Sequence, residues 1–200
     1  MPIAINGSGT VTGISVGGLP DGIVDTDMIA NNAVTAAKRG AGAILQVIQT
    51  VKTDTFSSAT IGSDVDITGL SVSITPSSAS NKILVTYDTN ISGSNAGYSG
   101  NVHLKRDSTK IYQGDAEGSR TRSTQFFITR NDTIGHLEEI KVHGSFLDSP
   151  STTSSITYKI SVNSINTNFT VNKTMYDTNT TAVARYPSSI TVMEVAAWVL

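Results

Sequence analysis

The chain has 200 residues, with 14 Lys and Arg against 16 Asp and Glu, a net charge of -2 and no cysteine. Scattered cations exclude an electrostatic grip on nucleic-acid phosphate, which needs clustered Lys and Arg, and the missing thiols exclude disulfides and thiolate metal sites. About a quarter of the residues are Ser or Thr, so polarity is carried by neutral hydroxyls and amides and stability has to come from packing.

The N-terminus, Met1-Pro-Ile-Ala-Ile-Asn-Gly, has neither the basic start nor the apolar run of a secretory signal, and no stretch of about twenty apolar residues occurs anywhere. The expectation is a protein made in a cytoplasm, with no membrane insertion.

Residues 3 to 16 alternate loosely, with Ile3, Ile5, Val11, Ile14 and Val16 separated by Gly, Ser and Thr. This reads as extended chain, too rich in Gly to stand as a free hairpin. Leu19-Pro-Asp-Gly is a turn, because Pro fixes φ at the first corner and Gly accepts a positive φ later. Asp25-Thr-Asp then caps a short helix starting at Met28, with carboxylates at its positive end, Lys38 and Arg39 at its negative end and Gly40 as its stop. About three turns of helix are marginal alone in water. Met28, Ile29, Ala33, Val34 and Ala37 fall near one face, so the helix needs a partner surface, either copies of itself or the chain's own head. Self-association is the first of these readings.

From Ile44 onward short strands recur every 10 to 15 residues or so. Leu70, Val72 and Ile74 alternate with Ser71 and Ser73 until Pro76; Ile83, Val85, Tyr87 and Ile91 alternate with Thr86, Asp88 and Asn90. Ile140, Val142 and Phe146 oppose Lys141, His143 and Ser145, and Ile156, Tyr158, Ile160 and Val162 oppose Thr157, Lys159 and Ser161. Period two with one wet face predicts an all-β fold, an antiparallel β-sandwich or jelly-roll head over residues 44–200, preceded by an extended N-terminal tail with one short helix over residues 1–43. The first and last strands, from Ile44 to Val51 and from Ile190 to Leu200, are apolar on both parities and should be covered on both faces. In the last strand Met193, Val195, Ala197 and Val199 are assigned to the core. Ile190, Val192 and Trp198, on the parity broken by Glu194, are assigned to a contact between subunits, in which Glu194 would need a partner.

These residues resemble a known family. The tail segment Leu19-Pro-Asp-Gly-Ile-Val-Asp-Thr-Asp-Met-Ile-Ala-Asn-Asn-Ala-Val-Thr-Ala-Ala-Lys38 resembles a repeat of tailed-bacteriophage fibre proteins, and the body looks like a family common in cyanophages and other marine phages. The body motifs are Ile44-Leu-Gln-Val-Ile-Gln, Thr68-Gly-Leu-Ser-Val-Ser-Ile-Thr-Pro, Lys82-Ile-Leu-Val, Phe146-Leu-Asp-Ser-Pro-Ser-Thr-Thr and Ser189-Ile-Thr-Val-Met-Glu-Val. The resemblance implies a virion structural protein, usually homotrimeric: a tail or collar fibre anchored to another virion protein through its N-terminus, with a capsid decoration or cement protein as the alternative. Only one repeat is present, so the fibre would be short. Its head would resemble the jelly rolls of the tumour-necrosis-factor or complement C1q kind, in which the first and last strands lie side by side in the sheet facing the three-fold axis. Host attachment, to a surface glycan or protein, would fall to the loops between Ser92 and Gly118, where Tyr98 and Tyr112 are the candidate contacts.

Catalytic and cofactor motifs do not emerge. His103, His136 and His143 lack ligand spacing, which leaves no metal and no cofactor expected; His143 falls on the polar face of its strand and His103 on the face opposite Val102 and Leu104 or at its edge, so these are read as solvated. Glu138 and Glu139 adjoin in sequence, and strand neighbours point to opposite faces, so they cannot flank one glycosidic bond. A polysaccharide depolymerase would need a dyad of distant residues, for instance Asp115 with Glu139. The expectation is a protein that is not an enzyme. Its interface candidates are Met28, Ile29, Val34, Ile190, Val192 and Trp198.

Overall fold

Alternating hydroxyl-bearing and apolar residues become two antiparallel sheets in the computed structural model, which describes residues 4–5, 11–12, 34, 38–93, 98–129, 138–166 and 168–197. The chain divides into two units, Met1–Gly40 and Ala41–Leu200.

Within the first unit β1 (Ala4–Ile5) and β2 (Val11–Thr12) pair antiparallel, Ala4 opposite Thr12 and Ile5 opposite Val11. A stretch this rich in Gly is expected to remain unpaired; the Asn-Gly-Ser-Gly-Thr sequence between the strands is composed of turn formers, and that favours closure over extension. The helix expected from Met28 to Lys38 lies outside the described residues apart from Val34 and Lys38, and Met28 and Ile29 with it. Val34 is exposed.

The second unit carries β3 (Ile44–Lys52), β4 (Phe56–Ser58), β5 (Asp64–Ile74), β6 (Lys82–Gly93), β7 (Ser99–Arg106), β8 (Thr109–Ile111), β9 (Gln125–Ile128), β10 (Ile140–Asp148), β11 (Ile156–Ser164), β12 (Phe169–Val171) and β13 (Ser188–Val195). Sheet 1 runs β3-β13-β6-β12-β4, with β10 on the other edge of β6; sheet 2 runs β5-β11-β7-β8, with β9 also on β7. On β6, β13 pairs with Lys82 to Asp88 and β12 with Ile91 to Gly93, so β12 and β4 prolong the rows begun by β13 and β3. Sheet 1 therefore reads first, last, third, sixth in chain order, and sheet 2 reads second, seventh, fourth, fifth. That interleaving is the double Greek key of a jelly roll. The first and last strands do lie side by side, with Ser188 opposite Lys52 and Val195 opposite Ile44.

The core lies between the sheets. Ile83, Val85, Tyr87 and Ile91 from β6, Ile190 and Val192 from β13 and Val142 from β10 meet Leu70, Val72 and Ile74 from β5, Tyr158, Ile160 and Val162 from β11 and Val102 and Leu104 from β7. Alternation is broken in β5. Ile67 and Leu70, three residues apart, are both buried because Gly69 takes φ 83, a conformation in which a side chain is strained, and shifts the register between Lys159 and Ser161 of β11.

The parity of the last strand is the reverse of the expected one. Ile190 and Val192 are wholly buried in the protomer's own core, while Met193 and Val195 point to the outer face of sheet 1. Ile190 and Val192 are thus corrected from interface to core. The apolar composition of both parities left the choice open, and the cross-strand partners decide it: Ile190 stands opposite Tyr87 and Val192 opposite Val85, both inward. Trp198 lies outside the described residues.

Candidate interaction faces

The two sheets differ in what they show on their outer faces. On sheet 2, Lys159 pairs with Lys105, and Lys105 with Lys110, across β11, β7 and β8; the next row holds Asp66, Ser161 and His103. Asp66 bridges Lys105 and Lys159, each at 2.7 Å. Burial works against the Asp66 charge, but the two lysine hydrogen bonds outweigh it and hold the carboxyl below its usual range. Asp64 takes Lys110 at 2.6 Å and lies 3.4 Å from His103 Nε2. Lysine charges that would repel along a row are separated by carboxylates at the crossings. This face is a solvated charge lattice, with Phe126 and Ile128 of β9 exposed at one end.

His103 is wholly buried, which corrects the expectation of a solvated position. Lys110 and Asp64 close over it, and its strand has covered residues on both faces. Burial first, and then the neighbouring Lys110 ammonium, push its pKa below the ordinary imidazole value against the opposing pull of Asp64. The Lys110 ammonium, which can only donate, and the Asp64 carboxylate, which can only accept, both stand 3.4 Å from Nε2. Among the described residues neither Nδ1 nor the buried Ser161 hydroxyl has a hydrogen-bond partner. A Ser, a His and an Asp are thus near one another, but the histidine is sealed from solvent, so a substrate has no approach.

On sheet 1 the outer face is organised differently. Cross-strand pairing sets Val47, Met193, Leu84 and Leu147 in one row across β3, β13, β6 and β10. Ile44 and Val195 extend it on the next row, and Val51 stands at the opposite end of β3. Val47 and Leu147 are each more than half exposed, at 56% and 51%. Between that row and the charged end lies a neutral row, Gln49, Thr191, Thr86 and Ser145, in which Gln49 Nε2 donates to Thr191 Oγ1 at 2.8 Å.

Glu194 is also wholly buried, but inside the protomer. Its Oε1 accepts from the Ser77 amide and hydroxyl, both at 2.7 Å, and from Asn81 Nδ2 at 2.6 Å, while Oε2 accepts from Gln46 Nε2 at 2.6 Å. The partner that this carboxylate requires is therefore supplied by its own chain.

The segment from Ser92 to Gly118 contains strands rather than one long loop. Tyr98 is wholly buried, packed on Phe127 with ring centroids 5.1 Å apart and seated over Gly93, where a Cβ would lie 2.0 Å from the ring. It cannot meet a receptor, and the expectation for it is corrected; the signal was Gly93 on the neighbouring strand, a gap that an aromatic ring fills. Tyr112 is 46% exposed, stacked on Phe146 at 4.8 Å and 21°. Beyond it Gln113 Nε2 donates to the Arg122 carbonyl and Arg122 Nε to the Gly114 carbonyl, closing the loop on itself.

Sequence reading missed a clasp joining the two sheets. Asp148 at the end of β10 accepts from the Tyr158 hydroxyl at 2.6 Å and from Arg106 Nη1 at 3.0 and 2.8 Å. Tyr158 reads as a core aromatic by parity, and nothing in its spacing marks the polar tip. Of the two adjacent glutamates, Glu139 has its pKa pushed up to about 7 by burial, with the Tyr186 hydroxyl opposing. Among the described residues no group of His, Cys, Asp and Glu could hold a metal ion.

No family model and no curated protein matches this chain. Among solved structures it is similar, at 13% identity, to the chain of infectious bursal virus derived T=1 particles, over 76% of this chain and 36% of that one, with a TM-score of 0.40. The infectious bursal disease virus VP2 subviral particle is similar at 13% identity over 76% of this chain and 38% of that one, TM-score 0.36. The Gx strain of infectious bursal disease virus is similar at 14% over 79% and 39%, TM-score 0.37. This chain spans well under half the length of those chains. The jelly-roll assignment rests on this chain's own strand order.

Proposed function

We propose that this chain is a structural, non-enzymatic protein of a tailed-phage virion, a homotrimeric tail or collar fibre. Its first forty residues anchor it to another virion protein and its jelly-roll head is displayed outward. The observation that carries the reading is the order of parts: a fibre-type segment, Leu19 to Lys38, directly upstream of a separate jelly-roll unit beginning at Ala41. The buried histidine, the self-satisfied Glu194 and the mutually paired charge lattice all suit a head whose polar groups serve the fold. Host contact, with a surface glycan or protein, is assigned to Tyr112, the exposed member of the tyrosine pair.

The test is labelling and counting in purified particles. Antibody against the head should decorate the tail or collar, and quantitative mass spectrometry should give tens of copies per particle. Hundreds of copies spread over the capsid would make it a decoration protein instead, and its absence from particles would overturn the virion reading. A chain beginning at Ala41 should fold yet be missing from particles. Incorporation at normal copy number would defeat the anchoring role of the tail.

A further inference from the structure

We propose that the cavity between β4 and the segment following β12 binds one ring of a carboxylate-bearing saccharide, a uronate; the inference rests on the host-contact reading above and adds to Tyr112 a second site with a stated ligand. The cavity encloses about 200 Å³, and its lining includes Ser57, Ser58, Asn168, Thr170, Lys173 and Met175. Drug-sized ligands occupy roughly 300 to 1,000 Å³, so this volume suits a single ring.

Lys173 sets the charge of the ligand. Asp177, four residues on, is gripped by Arg185 through both oxygens, at 3.0 and 2.7 Å, and that pairing is the main reason its carboxyl lies below the usual range. Lys173 Nζ is left 3.7 Å from Asp177 Oδ2, too long for a hydrogen bond, although its side chain is only 21% exposed. Two cations therefore share one carboxylate, and the surplus positive charge stands at the cavity wall. The other polar groups are neutral. The Ser58 hydroxyl accepts from the Thr60 amide at 3.1 Å and keeps its proton to donate, while Thr170 Oγ1 donates to the Lys173 carbonyl at 2.9 Å and keeps its lone pairs to accept. One surplus cation among hydroxyls and an amide, with Met175 as an apolar wall, matches a ring bearing hydroxyls, C–H edges and one carboxylate. A phosphate calls instead for several cations or a cradle of backbone amides.

The site is pre-formed. Asn172, wholly buried at φ 63, donates from Nδ2 to the carbonyls of Lys52 and Asp54 at 2.9 and 3.0 Å, which fixes the backbone next to Lys173, and Lys173 and Arg185 form a β-bridge. Its position also fits a host contact. Phe169 of β12 pairs with Gly93 at one end of β6, whereas Val195 pairs with both Ile44 of the entering strand and Lys82 at the other end. A strand of 12 residues at about 3.4 Å per residue puts about 35 Å between the cavity and the point where the chain enters this unit.

The test uses the full chain with isotope-labelled methionine methyl groups, of which there are 4. Nuclear magnetic resonance follows them, the Met175 signal is assigned with Met175→Leu, and glucuronate, galacturonate, glucose and inorganic phosphate are titrated separately. The expected result is a Met175 shift that saturates with one of the two uronates at about 1 to 10 mM, the affinity of a ligand with so few atoms, while Met193 does not move and glucose and phosphate bind about tenfold more weakly. Lys173→Gln should weaken uronate binding about tenfold, as the loss of one charged hydrogen bond does, at an unchanged melting temperature. No saturation with either uronate, glucose or phosphate binding as tightly as a uronate, or unaltered binding in Lys173→Gln overturns the site. Any of these leaves the fibre reading standing, and that reading fails on the particle labelling, which the titration of the isolated chain does not touch.

Discussion

Asn81 donates from Nδ2 to Glu194 Oε1 at 2.6 Å and accepts through Oδ1 from the Ala197 amide at 3.0 Å, so one side chain before β6 fixes the end of the last strand. Burial opposes the Glu194 charge, but the donors from Asn81, Gln46 and Ser77 outweigh it and hold the carboxyl below its usual range. Asn81→Ala should cost about 2 to 3 kcal/mol, as expected for a hydrogen bond to a buried charge. A depressed folded-state pKa gives stability that is present above the unfolded value near 4.5 and is lost as pH falls. The variant's stability should therefore fall less between neutral pH and pH 4 than the wild type's. Urea unfolding across that range tests it, and an unchanged acid slope would show that Glu194 is held without Asn81.

Reversal of the parity in β13 gives a paired prediction. Val192→Asp places an uncompensated carboxylate in the core and should destabilise by on the order of 3 to 5 kcal/mol, whereas Val195→Asp on the outer face should leave the head folded. Circular dichroism melting distinguishes the two. Equal loss in both variants would mean that the outer face is covered within the protomer.

Gly93 and Tyr98 form a second testable pair. A methyl group on Gly93 would stand 2.0 Å from the Tyr98 ring, and the contact is with the rigid root of the side chain rather than a flexible tip. Gly93→Ala should cost about 3 kcal/mol, at the upper end for overpacking. In Gly93→Ala with Tyr98→Leu the two losses should be less than additive, because the smaller residue vacates the space. Strict additivity in a thermal double-mutant cycle would refute the contact.

Two buried groups should bend the pH profile in opposite directions. His103 has a folded pKa below the unfolded value of 6.5, so the unfolded chain takes up its proton first and stability falls as pH drops below about 6.5. Glu139 has a folded pKa of about 7 against 4.5 unfolded, so the folded state holds the proton through that window and stability falls as pH rises from 4.5 to 7. Glu139→Gln should raise the melting temperature at pH 8 and leave it little changed at pH 4. His103→Gln should remove part of the slope below pH 6.5. A Glu139→Gln protein less stable than wild type at pH 8 would mean that the charged carboxylate is favoured in the fold.

Sequence alone determined the strands with clean alternation. Leu70 to Ile74, Ile83 to Ile91, Ile140 to Phe146 and Ile156 to Val162 bury the predicted parity, because period two on a one-sided sheet is a local property that each strand carries in its own residues. It also marked the change of texture near Gly40. Tertiary structure alone decided the rest. Which parity of β13 faces inward depended on Tyr87 and Val85 in the neighbouring strand, since its own residues are apolar on both sides. The burial of Tyr98 depended on the gap above Gly93, and that of His103 on Lys110 and Asp64 converging from two other strands. The apolar row on sheet 1 exists only through register, which brings Val47, Leu84, Leu147 and Met193 together from strands as far as 146 positions apart, counting from residue 47 to residue 193. Pairing between distant strands is set by the packing of the whole core, and no window of sequence contains it.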